Sequence, residues 1–216
     1  MLTPLPSTVL TSMGQVRIEH SAGATCGDRA RRLRDSLLET EQRRVRATPD
    51  SGPLGTHDLH ATYFVATVGP ELVGTIKVVS DSMEGLPCEG AIDLTDLRRL
   101  GSLGSLVELG NFAVLPSFRS AGVGVLLMRH AVRHAALQLG ATHALADFFI
   151  DDSPSRSMFF RALGFVPVGP PYRDHRFVGS PTSQISVLDL FLALARSARP
   201  PIRPNETTRT LPCRTT

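Results

Sequence analysis

The stretch FAVLPSFRSAGVGVLLMRHA, residues 112–131, passes from an alternating apolar run to a run with helical spacing through a short turn bearing Arg119, Gly122 and Gly124. A strand that feeds directly into an amphipathic helix is a building unit of α/β proteins, in which the helix covers the sheet. The turn also has chemical potential. A helix N-terminus presents unpaired backbone N–H groups and a partial positive charge, which together suit phosphate oxygens. Glycines at 122 and 124 let a ligand come close to the backbone, and Arg119 adds a charge-assisted donor. The same six residues also suit a tight turn whose glycines only allow close packing. Two other phosphate-binding loops fail on spacing: Gly122-Val-Gly124 is followed by Val125, Leu126 and Leu127 rather than completing G-x-G-x-x-G, and no lysine follows as a P-loop requires.

The surrounding chain reads as a single α/β domain over residues 14–195, with a flexible N-terminus over 1–13 and a disordered Arg/Pro/Thr-rich tail over 196–216. Residues 14–21 alternate as a strand, and 27–47 read as an arginine-rich amphipathic helix, unbroken or in two pieces. Residues 48–58 read as a loop, ATYFVATV and LVGTIKVVS around GPE as an antiparallel hairpin, and 81–102 as an irregular segment with a short helix near 95–100. A strand over 105–114 leads into the turn and a helix over about 121–139, whose expected buried stripe is Val125, Met128, Val132, Ala136 and Leu139. A strand at 142–150, a helix at 153–165, a short strand FVPVG and a last strand at 183–192, with a terminal helix through Ala198 as the alternative for its end, complete the chain.

No run of 18 apolar residues occurs, and the first residues lack the basic start and long apolar run of a signal peptide, so a cytoplasmic protein is expected. Cys26, Cys88 and Cys213 lie too far apart in sequence to suggest a zinc site or a disulfide framework. The net charge of +3 comes from arginine, since Lys77 is the only lysine. Such a balance suits an acidic partner without naming one.

The R-x-x-G-x-G turn after an A-V strand, followed about 40 residues later by MFFRALGF (158–165), resembles the GNAT superfamily of N-acyltransferases. Further features resemble its long-chain N-acyl amino acid synthases and autoinducer-synthase-like members: the arginine-rich first helix, HDLHATYFVA, LVGTIKVV followed by GLPCE, ELGNFAV and LGFVPVGPP. The resemblance implies a GNAT fold, a central mixed, mostly antiparallel sheet splayed into a V and flanked by helices. It implies an acyl-CoA or acyl-carrier-protein thioester as co-substrate and no permanently bound cofactor. The pantetheine and pyrophosphate would lie along Phe112, Ala113, Val114, Arg119, Ser120, Ala121, Gly122, Val123 and Gly124, with Phe160 at the position where many relatives carry a tyrosine acid.

Acyl transfer to an amine needs a base, oxyanion donors and a proton for the leaving thiolate. Glu108 is the candidate base. Simple alternation places Glu108, Gly110, Phe112 and Val114 on one strand face, with Gly110 leaving room beside the carboxylate. The resemblance implies the same role, and a backbone N–H near Val114 as oxyanion donor. Phe160 has no proton to give. Asp147 is a candidate to orient an ammonium or else a solvated strand residue; His175 is a second, weaker base candidate. His130 and His134, at i and i+4 with Arg129 and Arg133 between and beside them, read as a polar helix face rather than metal ligands.

The arginines at 29, 31, 32, 34, 43, 44 and 46 suit an acidic carrier protein or simply a solvated helix face. The chain departs from the relatives at Asn111, where an arginine is usual, and at Tyr63, where a histidine is usual. The leading expectation is transfer of a medium or long acyl chain to the amine of an amino acid, peptide or natural-product scaffold. The alternatives are an acetyl-CoA-dependent N-acetyltransferase and a non-catalytic acyl-CoA- or nucleic-acid-binding module, the last disfavoured because no aromatics interleave the arginines.

Overall fold

A computed structural model describes residues 7–11, 13–22, 24–45, 56–95, 98, 104–150 and 154–197. The element order is β1 (Thr8–Thr11), β2 (Gly14–Ala22), α1 (Ala24–Gln42), β3 (Ala61–Val68), β4 (Glu71–Ser80), β5 (Leu106–Val114), α2 (Val123–Leu137), β6 (His143–Phe149), α3 (Pro154–Leu163), β7 (Val166–Pro167), β8 (Tyr172–Arg173), β9 (Thr182–Asp189) and α4 (Leu190–Ser197). Short 3-10 turns occupy Thr56–His60, Pro87–Gly90 and Pro116–Ala121. The strands form one sheet in the order β1-β2-β3-β4-β5-β6-β9-β7, with β8 also paired to β9. Among the described residues every pairing is antiparallel except β5 with β6.

Most expected elements form, with four informative differences. Residues 8–11 lie in the segment expected to be flexible, yet they make a hairpin with β2, Val9 opposite Val16. Gly14 at φ 113° and the Thr11 hydroxyl donating to the Gly14 carbonyl at 2.8 Å close that turn. The α1 helix is unbroken to Gln42, and residues 46–55 of the expected helix end and loop lie outside the described residues. So do most of the expected helix near 95–100 and the tail from 198. At the C-terminal end both expectations hold in turn: β9 stops at Asp189, whose carboxylate accepts the Leu192 N–H at 2.9 Å as a cap, and α4 begins.

The fourth difference concerns the face of α2. Its buried stripe is Val123, Gly124, Leu127, Met128, Ala131, Val132, Ala135 and Ala136, whereas Val125 and Leu139 are 42% and 37% exposed. The expected stripe is rotated about the helix axis from the true one, because the small residues Gly124, Ala131 and Ala135 are what lets the helix lie close on the sheet. The main core lies under this face, joining α2 and α4 to Phe64, Val73, Ile76, Val78, Val107, Leu109 and Val114. The opposite sheet face carries two smaller clusters. One joins α1 to Tyr63, Val65 and Val79, and the other joins Leu86, Cys88 and Leu94 to Leu106, Leu145 and Ile185.

Candidate active site

Strands β5 and β6 are paired only from Leu106 opposite His143 to Leu109 opposite Ala146. Beyond that point β5 follows β4 to Val114, and β6 follows β9 to Phe149. The sheet therefore parts at Gly110 and opens a V. At the same place β5 carries a bulge. Gly110 is opposite Lys77 and Ala113 is opposite Thr75, so three steps of β5 match two of β4, with Asn111 at φ 50°. Asparagine tolerates that left-handed conformation better than most residues.

The bulge corrects the simple alternation. Val107, Leu109 and Val114 share the α2 core, with Phe112 packed against it. Phe112 and Val114 thus face α2, while Glu108 faces the other side with the Leu86–Leu94 segment. The extra residue in the bulge switches the side-chain alternation from one face to the other.

Glu108 is 6% exposed, and its Oε2 accepts the backbone N–H of Cys88 at 2.7 Å. Burial pushes its carboxyl pKa up; the Cys88 contacts oppose that, Asp147 reinforces it and Arg176 opposes it. The Cys88 thiol is fully buried, and its own pKa is raised by burial and by the Glu108 carboxylate beside it. The turn that supplies the Cys88 N–H is braced: Glu89 Oε1 accepts the Leu86 N–H at 2.8 Å, and Arg98 pairs with both Glu89 and Asp81. A Cβ placed on Gly110 meets no heavy atom within 4 Å. The room expected beside the carboxylate is present.

Across the opening stands Asp147 on β6. Its Oδ2 accepts the Tyr172 hydroxyl at 2.5 Å and pairs with Arg176, whose Nε also donates to Asp174 at 2.8 Å. Tyr172 is held protonated, its pKa pushed up by burial and by Asp147. The sequence pattern singled out His175 in this segment, but that side chain is exposed and bonded to Ser180 at 3.0 Å; Tyr172, Asp174 and Arg176 are the residues that reach the site. Their only signal in the sequence was a dense polar run, YRDHR, in a loop next to a strand. Cys88 signalled itself only as part of GLPCE.

On the α2 side of the V lies an aromatic cluster. Phe160 is 6% exposed, stacks on Phe148 at a centroid distance of 3.9 Å and meets Phe112, Phe159 and Phe165 edge-on. It is a core side chain. Gly124 is buried against this cluster, since a Cβ there meets Phe112 at 3.1 Å. Gly122, by contrast, is exposed at φ 80°, with nothing within 4 Å of a Cβ, and it begins α2. One glycine serves packing and the other leaves the helix start open. Arg119 donates to the Val114 carbonyl at 3.1 Å and pairs with Glu41 of α1, so it ties the turn to α1. Ser120 and Ala121 end the 3-10 turn, and the Val123 side chain is buried.

The arginines of α1 and of the residues just after it divide. Arg31 pairs with Asp28 and Asp58, Arg34 with Asp35, and Arg44 lies 4.2 Å over the ring of Phe149. Arg29, Arg32 and Arg43 are exposed, and Arg46 lies outside the described residues. Asp58 also accepts from Tyr63 at 2.7 Å and from Lys77 at 2.9 Å. His134 packs edge-on to Phe64, which His20 stacks on and His130 approaches. Among the described residues no group of three potential ligands is arranged to hold a metal ion, and no helix is long and apolar enough to cross a membrane.

A sequence model described as N-acyl amino acid synthase FeeM matches residues 42–187. The chain belongs to the FeeM N-acyl amino acid synthase family. It is an N-acyltransferase with the GNAT fold. Among solved structures it is similar to FeeM, an N-acyl amino acid synthase from uncultured soil microbes, at 21% identity and a TM-score of 0.64, over 83% of this chain and 93% of that one. It is also similar to BjaI, a CoA-dependent acyl-homoserine lactone synthase solved with SAM and isopentyl-CoA, at 18% identity and a TM-score of 0.55, over 84% and 89% of the two chains. A putative N-acetyltransferase from Lactobacillus plantarum shares 18% identity at a TM-score of 0.54, over 81% and 98%. No curated protein matches the sequence.

Proposed function

We propose that this enzyme moves a medium or long acyl chain from an acyl-CoA or acyl-carrier-protein thioester to a primary amine of an amino acid, peptide or natural-product scaffold. The observation that carries the reading is the open floor at Gly110, beside the buried Glu108 carboxylate and at the point where β5 and β6 part. The thioester arm lies in the V. Its phosphates meet the open start of α2 at Gly122, where the first N–H groups of a helix have no intrahelical partner. The bulge segment 110–114 has lost its β6 neighbour, so the backbone N–H groups that do not pair with β4 face the gap and serve the tetrahedral oxyanion.

Glu108 takes a proton from the acceptor ammonium. The free amine attacks the thioester carbonyl, the C–N bond forms and the C–S bond breaks. Of the two protons then on nitrogen, one leaves with the thiolate sulfur and the other stays as the amide N–H, so no separate acid is required where Phe160 replaces a tyrosine. Exposed Arg29 and Arg32 are candidates to meet an acidic carrier.

A thermal-shift titration with CoA, acetyl-CoA and a long-chain acyl-CoA at matched concentrations tests the donor. A ligand at 100 times its dissociation constant adds about 2.7 kcal/mol. Stabilisation by the long donor well beyond acetyl-CoA is expected; equal stabilisation by both would replace this reading with an acetyltransferase.

A further inference from the structure

The two oxygens of Asp147 are treated differently by the fold. Oδ2 is saturated by the Tyr172 hydroxyl and Arg176, while Oδ1 is shielded from solvent and has no hydrogen-bond partner among the described residues. A buried acceptor left unsatisfied is unfavourable by roughly 1–3 kcal/mol, and more when charged, so such an atom in a site calls for a donor from outside the chain. Position narrows the donor. Asp147 follows Ala146, the last β6 residue paired with β5, and it shares a sheet face with Leu145, which stands opposite Glu108. Leu145 packs with the Leu86–Cys88 segment that bonds Glu108, whereas Ala144 and Ala146 face the α2 core. Glu108 and Asp147 therefore flank the same opening above Gly110, where nothing occupies the space of a side chain.

We infer that Asp147 Oδ1 is the acceptor-binding atom of the site, receiving one N–H of the substrate as an ammonium ion while Glu108 removes another. The inference rests on the acyl-transfer reading above and narrows the acceptor to amines that arrive cationic, as amino acids and peptides do. The division of labour follows from the partners. Arg176 and Tyr172 hold Asp147 in place and leave it one free oxygen, which suits it to bind. Glu108, buried and held by the backbone N–H and the thiol of Cys88, is suited to take up the proton. After transfer the product nitrogen is a neutral amide with a single N–H, so the attraction to Asp147 is lost and the product leaves.

The test measures acyl transfer from a long-chain acyl-CoA to two probes: an equimolar mixture of the protein amino acids, with the product read by mass spectrometry, and hydroxylamine, which is neutral at pH 8 and whose enzyme-free reaction with the thioester is subtracted. For Asp147→Asn the KM of the best amino acid acceptor is expected to rise about 10–150-fold, the loss of one hydrogen bond to a charged group. The acyl-CoA KM, the acyl-CoA-induced thermal shift and the rate with hydroxylamine are expected to stay near wild type. A purely structural role would move all four together and would overturn the inference, as would an unchanged amino acid KM. If the variant shows no thermal shift with acyl-CoA, Asp147→Glu, which keeps the charge, decides the matter: recovery of the amino acid KM toward wild type supports the inference, and a KM no better than that of Asp147→Asn overturns it. If the wild-type enzyme transfers acyl groups to neither probe, it is the acyl-transfer reading that fails.

Discussion

Replacing Gly110 with alanine should stabilise the fold and damage the reaction. The folded state accepts the methyl group, because a Cβ at this position meets nothing within 4 Å and Gly110 is not among the glycines with positive φ. The unfolded chain meanwhile loses conformational freedom, which is worth about 0.4–1 kcal/mol of added stability. In a chain of this size 1 kcal/mol moves Tm by about 2–4 °C, so a rise of about 1–4 °C is expected. On the proposed placement of the acceptor, the same methyl stands on the floor that the amine nitrogen crosses to reach Glu108. Displacing a reacting atom by about 1 Å is enough to lower the rate on the order of 100-fold, or about 2.7 kcal/mol of barrier. Tm by calorimetry and kcat/KM for acyl transfer, measured on the same preparation, give the two numbers. A variant with raised Tm and undiminished kcat/KM would refute the placement of the acceptor over Gly110, and a lowered Tm would refute the open space itself.

Gly124→Ala is expected to do the reverse to stability, since its methyl meets Phe112 at 3.1 Å inside the aromatic cluster; overpacking of this kind lowers stability by about 1–3 kcal/mol, readable as a lower urea midpoint. Glu108→Gln should raise stability at neutral pH and not at low pH. The folded carboxyl holds its proton more tightly than the unfolded one, so wild-type stability falls as pH rises from the ordinary glutamate value through the raised value, and glutamine removes that loss; urea melts across this window check it. By the same shift the acid limb of the wild-type pH–kcat/KM profile should lie above the usual carboxylate range, and a limb at an ordinary glutamate pKa would speak against Glu108 as base.

The strand, turn and helix around Arg119 were legible because the hydrophobic period changes there and glycines mark the join. Glu108 was legible as a charge inside an apolar strand, and Gly110 as a gap beside it. The bulge at Asn111 was overlooked: its one mark is a change of phase in the apolar positions, from Val107 and Leu109 to Phe112 and Val114, across Gly110 and Asn111. The expected stripe on α2 shares Met128, Val132 and Ala136 with the buried one but takes Val125 and Leu139 in place of Leu127 and of the small Gly124, Ala131 and Ala135, which a count of large apolar residues passes over. The place of Arg119 before the helix suggests an anion ligand; its bond to the Val114 carbonyl is local, but its pairing with Glu41 of α1, 78 residues away in the chain, leaves no local signal. The Tyr172–Asp147–Arg176 network escaped for the same reason, since β8 reaches β6 only through the β9 register. Local strand, turn and helix signals were readable, and long-range pairing was not.

The most direct test of the account compares wild type and Glu108→Gln for amide formation from a long-chain acyl-CoA and the amino acid mixture near neutral pH. The account predicts an N-acyl amino acid product with wild type and a fall in kcat on the order of 10²–10⁴-fold for Glu108→Gln, the usual weight of a general base, with the acyl-CoA-induced thermal shift retained. Equal product from both proteins would contradict it.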